Sequence, residues 1–191
     1  MTVTLRRLTP IEFSMLTPLL VEIYIEAMGY PREKYLDRAH AWKGETMRPG
    51  FTAVLAEDES GALGFAYGFI GSRDTWWDKQ VRRGFDERGG ATESQEKVMQ
   101  DYFEVAEIHV LPSTQGRGIG RQLLHGLLWN QPSAFAVLST PEVPGESNPA
   151  FHLYRSFGFF DLLRFLEYPA DTRSFAILAL NLHDFQRPNR A

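Results

Sequence analysis

The chain has 191 residues, a formal net charge of −4 and no cysteine, which excludes disulfide frameworks, thiolate metal sites and a cysteine nucleophile. The hydrophobic share of 43% excludes wholesale disorder, and the absence of a basic excess makes nucleic acid a poor partner. The apolar runs, such as residues 175–180, are far shorter than the roughly 20 residues that cross a bilayer, so we expect a cytoplasmic protein with no membrane partner.

The N-terminal segment predicts a strand followed by two helices. Residues 3–8 alternate apolar and polar side chains, which is typical of a strand. Thr9 and Glu12 have the spacing of a capping box, which begins a helix, and Gly29 is a plausible end to it. We expect the second helix to open at Pro31, because proline suits the first position of a helix.

A β-hairpin comes next, with predicted strands at 51–57 and 62–70. In the second of these strands, glycine and alanine alternate with three aromatic residues, Phe65, Tyr67 and Phe69. One face of the strand is therefore aromatic, and the other face lets another group approach the backbone closely.

Residues 71–100 differ in character from the rest of the chain, and we interpret them as an insertion that is helical in part, over 75–85. Two interpretations stay open for this segment. It is either a solvated excursion whose tryptophans, Trp76 and Trp77, pack on the core, or a lid over an acceptor site, since long insertions in compact domains are often functional.

The second half of the chain predicts a βαβ unit, which should be right-handed. A strand at 102–111 leads through a glycine-rich turn into a helix, and a strand at 134–139 follows. The remaining predicted elements are a helix capped by Asn148 or Ser147 and strands at 159–168 and 175–182. This order predicts an α/β fold in which helices cover a mixed sheet, in a single domain over 1–182 with a polar tail at 183–191.

The turn most informative about function spans residues 115–120, with the sequence Q-G-R-G-I-G. Its glycines let a ligand approach the backbone amides, and the helix that follows adds unpaired N–H groups and the positive end of its dipole. Such a site suits a phosphate group, although the spacing fits neither a Walker loop nor a dinucleotide fingerprint. From the residues alone, this is either a site for a phosphate-bearing ligand or a structural turn between helix and sheet.

Two motifs in order resemble the GNAT superfamily of N-acetyltransferases. The acetyl-CoA signature of that family, Q/R-x-x-G-x-G/A, is matched at Gln115, Gly118 and Gly120. Residues 148–159 look like the later N-x-x-A-x-x-x-Y-x-x-x-G-F segment, except that Ala150 follows Asn148 by two positions. The resemblance covers nearly the whole chain and implies the GNAT fold, a mostly antiparallel mixed sheet whose splayed parallel strands hold acetyl-CoA.

The same resemblance implies where acetyl-CoA binds as co-substrate. The backbone of residues 115–120 would hold the pyrophosphate, and the strand just before the turn would pair with the pantetheine arm. The residues that the family pattern assigns to the cofactor are His109, Val110, Leu111, Gln115, Gly116, Arg117, Gly118, Ile119, Gly120, Arg121 and Asn148.

Three side chains are candidates for proton transfer. By the resemblance, Tyr154 would lie near the thioester sulfur, where a phenol can donate a proton to the leaving thiolate; otherwise it is a core tyrosine. An exposed lysine-like amine has a pKa near 10.4, so a base helps to deprotonate it, and Glu104 and Glu107 precede the turn. Their odd separation puts them on opposite faces of a regular strand. We favour Glu107 because it is nearer the pantetheine stretch, with His109 as a weaker third candidate.

These motifs predict an N-acetyltransferase that moves acetyl from acetyl-CoA directly to a primary amine of a small molecule or peptide. The histidines are scattered, so we expect no metal. Two alternatives stay open: a non-catalytic acyl-CoA-binding sensor on the same fold, and an acyltransferase that uses another acyl-CoA. Homodimers are common in the family, so a homodimer is the expectation for an otherwise open oligomeric state.

Overall fold

The computed structural model describes residues 2–169 and 171–186. Its strands are β1 (Thr4–Leu8), β2 (Thr52–Asp58), β3 (Gly61–Ile70), β4 (Tyr102–Val110), β5 (Phe135–Pro141), β6 (Phe160–Glu167) and β7 (Ser174–Asn181). In this part of the chain they form a seven-stranded sheet in the order β1-β2-β3-β4-β5-β7-β6. Antiparallel pairs are formed by β1 with β2, β2 with β3, β5 with β7 and β6 with β7.

The exception is the parallel pair of β4 and β5, whose register joins Tyr102, Phe103 and Glu104 to Phe135, Ala136 and Val137. This register takes in only the first three residues of β4. The mixed, mostly antiparallel sheet expected from the sequence is therefore confirmed.

The helices are α1 (Pro10–Met28), α2 (Tyr35–Glu45), α3 (Trp76–Asp86), α4 (Glu93–Val98), α5 (Ile119–Leu128), α6 (Pro149–Phe157) and α7 (Leu182–Gln186). Among the residues described, no helix has the length and apolar character that crossing a membrane requires. The predicted tail at 183–191 overlaps α7, and residues 187–191 lie outside the described residues.

The first two helices show how local sequence sets their ends. The predicted capping box is present, because the Thr9 hydroxyl accepts the Glu12 N–H at 3.2 Å and the Glu12 carboxylate accepts the Thr9 N–H at 2.8 Å. The start of the second helix was predicted wrongly at Pro31, since a single 3-10 turn, Arg32–Lys34, precedes α2 at Tyr35. Such turns are frequent at helix starts.

Two compact units make up the described chain. Residues 2–69 and 105–129 form the first, and residues 70–104, 130–169 and 171–186 form the second. The core of the first unit is aromatic, with the ring of Phe13 4.9 Å from that of Tyr67 and the ring of Trp42 5.3 Å from that of Phe65. The aromatic face predicted for β3 is confirmed, because Phe65, Tyr67 and Phe69 are all buried.

The small residues of β3 have the role that the alternation predicts. A Cβ atom added at Gly64 would lie 2.6 Å from the carbonyl oxygen of His109 and 3.1 Å from the Cα of Val110. Any side chain at Gly64 would therefore push against the backbone at the end of β4, where the glycine-rich turn begins.

The predicted insertion forms α3 and α4 and packs inside the second unit. Val81 and Phe85 of α3 and Val98 of α4 share a buried cluster with residues of β6 and β7. Trp77 packs against this cluster, whereas the side chain of Trp76 is 56% exposed. The segment therefore packs on the core of the second unit, and a lid over an acceptor site stays a prediction.

Candidate functional site

The turn between β4 and α5 lies in the first unit and leaves its backbone open. Gly116 and Gly118 have φ angles of 78° and 76°, in the left-handed region that favours glycine. A Cβ at either position would meet no atom within 4 Å. These glycines are therefore required by backbone conformation and leave space above the chain for a ligand.

The start of α5 supplies hydrogen-bond donors to that space. Gly118 is the N-cap residue, and the Gln122 N–H donates to its carbonyl oxygen at 3.1 Å. The N–H groups of Ile119 and Gly120 precede this bond, so they have no partner within the helix. Because Gly118 has no side chain to cap the helix, these amides and the helix dipole can act on an anion.

One side-chain and one backbone hydrogen bond hold the predicted cofactor segment in place. The Gln115 amide group donates to the Val110 carbonyl at 3.1 Å, and the Leu111 N–H donates to the Leu63 carbonyl at 2.8 Å. The Val110 carbonyl and the Leu111 N–H are therefore hydrogen-bonded within the protein. The predicted pairing with a pantetheine arm is left to the other backbone groups of residues 109–111. Arg117, with a side chain 40% exposed, lies 3.8 Å from the Asp58 carboxylate, at the edge of the turn.

Glu107 lies in a polar cluster of the first unit. One carboxylate oxygen is 2.6 Å from Nε2 of His109, and the other is 3.5 Å from Nη1 of Arg38. The second guanidinium nitrogen of Arg38 donates to the Tyr24 hydroxyl at 3.0 Å. Only 17% of the Glu107 side chain is exposed. The predicted base is therefore a half-buried carboxylate held between an imidazole and a guanidinium.

A second carboxylate belongs to the same cluster. The Tyr67 hydroxyl, on the buried aromatic face of β3, donates to Glu45 at the end of α2 at 2.5 Å. Burial raises the pKa of Glu45, and the charge of Glu107 adds to the shift. Burial also raises the pKa of Tyr24 to about 12 and raises the pKa of Tyr67 well above its ordinary value, again with a contribution from Glu107. These shared effects show that the charges of the cluster act on one another.

Glu104 has different surroundings, in the second unit. Glu104 is buried, with 8% of its surface exposed. Burial is the main reason that the pKa values of Tyr102 and Tyr168 are raised, and the charge of Glu104 adds to both shifts. Glu104 is therefore buried and its charge acts on two phenols, whereas Glu107 contacts His109. That the two carboxylates lie on opposite faces of the strand stays a prediction.

Asn148 and Tyr154 also belong to the second unit. The Asn148 carboxamide accepts the Phe151 N–H at 2.8 Å, so it caps α6 as expected. Tyr154 is 6% exposed, with its ring 5.7 Å from that of Phe159. Their cofactor and acid roles stay predictions.

The sequence analysis missed the residues that surround Glu107. Tyr24, Arg38, Glu45 and Tyr67 were not singled out as site residues, although Arg38 and Glu45 are seven positions apart and share a helix face. That spacing was the available signal, but nothing in the sequence says that this face meets β4. Within residues 2–169 and 171–186, no group of three or more histidine or carboxylate side chains could hold a metal ion.

Comparisons with known proteins agree with this fold and turn. The model of the acetyltransferase (GNAT) domain matches residues 49–160. A GCN5-like protein acetyltransferase of Mycobacterium tuberculosis is 36% identical over 182 residues, which cover 84% of this chain and 88% of that protein. The chain belongs to the GNAT acetyltransferase family.

Solved structures of low identity establish the fold. The ribosomal-protein-S18-alanine N-acetyltransferase of Escherichia coli superposes with a TM-score of 0.62 at 17% identity, over 99% of this chain and 97% of that one. The yncA protein of Salmonella typhimurium, solved with its cofactor acetyl-CoA, gives a TM-score of 0.62 at 15% identity over all of both chains. The fold that the resemblance implies is thereby confirmed, and the family itself is confirmed by the domain match and by the Mycobacterium tuberculosis relative.

Proposed function

We propose that this protein transfers an acetyl group from acetyl-CoA to a primary amine. The observation that carries the proposal is the open glycine turn at the N-terminus of α5, which presents backbone amides to a phosphate group. The Salmonella typhimurium relative of the same fold was solved with acetyl-CoA, which supports the same ligand here.

The residues proposed to hold acetyl-CoA are those of the turn and the strand end before it. Amides of Gly116, Gly118, Ile119 and Gly120 receive the pyrophosphate, and Arg117 and Arg121 add positive charge. Backbone groups of the 109–111 stretch pair with the pantetheine arm, and Asn148 contributes a further contact by the family pattern.

Acetyl-CoA supplies the acetyl group as a thioester, and the amine nitrogen bonds to its carbonyl carbon as the carbon–sulfur bond breaks. Glu107 accepts the proton that the amine must lose, and His109, 2.6 Å from it, fixes the orientation of the carboxylate. Tyr154 donates a proton to the departing thiolate, a role that rests on the family pattern. The transfer is direct, and a chain without cysteine agrees with the absence of an acyl-enzyme.

The acceptor is a small-molecule or peptide amine. The Mycobacterium tuberculosis relative is named a protein acetyltransferase, which favours an amine on a peptide or protein. A cytoplasmic location and a homodimer stay predictions of the sequence analysis.

Thiol release from acetyl-CoA, followed with a thiol-reactive dye, tests the proposal against a panel of amines and peptides. Because the chain has no cysteine, the protein adds no thiol background. We expect release that depends on both acetyl-CoA and an amine. Tight acetyl-CoA binding without release with any amine would instead indicate a sensor, and release only with a longer acyl-CoA would indicate another donor.

A further inference from the structure

The guanidinium beside the proposed base carries an inference about the acceptor. Resting on the proposed function, we infer that Arg38 selects acceptors that bear a carboxylate next to the primary amine. The acceptor's amine would take the place of Arg38 against Glu107, and its carboxylate would pair with Arg38.

Arg38 is anchored on one side and open on the other. Its Nη2 donates to the Tyr24 hydroxyl at 3.0 Å, and its Cζ lies 4.9 Å from the centre of the Tyr24 ring. Tyr24 is 4% exposed, so this anchor is buried. The Arg38 side chain itself is 38% exposed. A fixed guanidinium with an open surface is suited to bind a carboxylate in a defined orientation.

The contact between Arg38 and Glu107 is long enough to be exchanged. At 3.5 Å, it is at the limit of a hydrogen bond, whereas the contact of Glu107 with His109 is 2.6 Å. Charge-assisted hydrogen bonds are usually 2.7–2.9 Å long and can be bidentate with arginine. A substrate carboxylate could therefore make a better partner for Arg38 than Glu107 does.

The charges around the site also favour such an acceptor over a simple cation. The charges of Glu107 and Glu45 act on Arg38, and that of Arg48 acts on Glu45, so two carboxylates stand against two guanidinium groups. Glu45 accepts a hydrogen bond from the Tyr67 hydroxyl at 2.5 Å, so it is engaged there and does not replace Glu107 as the partner of Arg38. An acceptor with only an ammonium group would pair with Glu107 and leave the Arg38 guanidinium without a carboxylate partner. An acceptor with both groups leaves each charge paired.

Matched acceptors test the inference without any mutation. A free amino acid is compared with its amide, and a peptide with N-terminal aspartate is compared with one that has N-terminal asparagine. The expected result is a kcat/KM about 10- to 100-fold higher for the acceptor with the carboxylate, the range of one charged hydrogen-bonded contact. A preference in the amino-acid pair identifies a free metabolite, and a preference in the peptide pair identifies an acidic peptide.

Substitution of Arg38 then assigns the preference to this residue. Arg38→Met should lower the ratio of kcat/KM for the carboxylate acceptor to kcat/KM for the amide acceptor by about the same factor, chiefly through KM. Arg38→Lys keeps the charge but loses the planar guanidinium, so its preference for the carboxylate acceptor should lie between that of wild type and that of Arg38→Met. Arg32→Met is the matched control, because Arg32 pairs with Glu22 at the surface and its side chain is 80% exposed.

The outcomes separate this inference from the proposed function. Thiol release with no carboxylate preference overturns the inference alone, as does an Arg38→Met variant that lowers kcat equally for both acceptors, since Arg38 would then only hold Glu107. No thiol release with any amine overturns the proposed function and this inference with it. If Arg38→Met fails to fold, the wild-type preference and Arg38→Lys still decide.

Discussion

Replacing Gly118 by aspartate places a negative charge at the opening of α5, where the account puts the pyrophosphate of acetyl-CoA. The φ angle of 76° makes any side chain at Gly118 strained, by about 1–2 kcal/mol for an ordinary residue and less for aspartate or asparagine. No atom lies within 4 Å of a Cβ at this position, so the substitution adds no clash. Gly118→Asn has nearly the same size and backbone preference and isolates the effect of the charge.

The size of the effect follows from Coulomb's law. A carboxylate about 5 Å from one phosphate charge is repelled by about 3 kcal/mol at an effective dielectric constant of about 20. Binding of CoA should therefore be weakened about 100-fold in Gly118→Asp relative to Gly118→Asn.

Thermal unfolding with and without CoA measures this difference. At a CoA concentration of about 100 Kd, wild-type protein gains about 2.7 kcal/mol, and the Tm of a chain of this size should rise by about 5–10 °C. Gly118→Asn should keep most of that rise. For Gly118→Asp, the same CoA concentration is near Kd. Its free energy of unfolding should therefore rise by about 0.4 kcal/mol and its Tm by about 1 °C. Equal shifts in the two variants would refute the assignment of the turn as the phosphate site.

Three further predictions concern protons. Glu107→Gln should lower kcat about 100-fold or more near neutral pH and recover activity at high pH, where the free amine deprotonates itself, whereas Glu104→Gln should leave the pH profile unchanged. Tyr154→Phe should lower kcat about 10- to 1000-fold with little change in Tm or CoA affinity, because it removes only the hydroxyl. A hydrogen bond from Arg155 holds the pKa of Glu146 at about 2, below its ordinary value of 4.5. This group contributes stability that is present above pH 4.5 and is lost as the pH falls toward 2, so Tm measured across that range should fall less in Glu146→Gln.

Each of these predictions has a result that contradicts it. Recovery at high pH in Glu104→Gln alone would transfer the base role to that residue. An unchanged kcat in Tyr154→Phe, with chemistry limiting, would return Tyr154 to the core. Equal acid sensitivity of wild type and Glu146→Gln would show that this ion pair contributes nothing to acid stability.

The features that could be predicted from the sequence are those set by residues that are close together along the chain. The capping box at Thr9 and the open turn at Gly118 each depend on a few consecutive positions, and the structure has both. The alternation in β3 likewise predicted its aromatic face, because side chains in a strand point to opposite sides in turn.

The acceptor side of the site could not be predicted, because it depends on packing. Arg38 and Glu45 on α2, with Tyr24 on α1, approach Glu107 only after the helices pack against the sheet. Periodicity marks the face of a helix that is apolar but does not say which strand it meets. The role of residues 71–100 likewise stays open to two interpretations, since Trp76 and Trp77 suit either a solvated excursion that packs on the core or a lid over an acceptor site.

The most direct test of the account follows the acetyl group itself. The protein is incubated with acetyl-CoA that carries an isotopic label in the acetyl group and with an amine found by the thiol assay, and mass spectrometry locates the label. We expect the label to appear as an amide on the acceptor nitrogen and not on the protein chain, and we expect Glu107→Gln to slow its transfer. Label attached to the protein as an intermediate, or no labelled acceptor despite CoA binding, would contradict direct acetyl transfer by this protein.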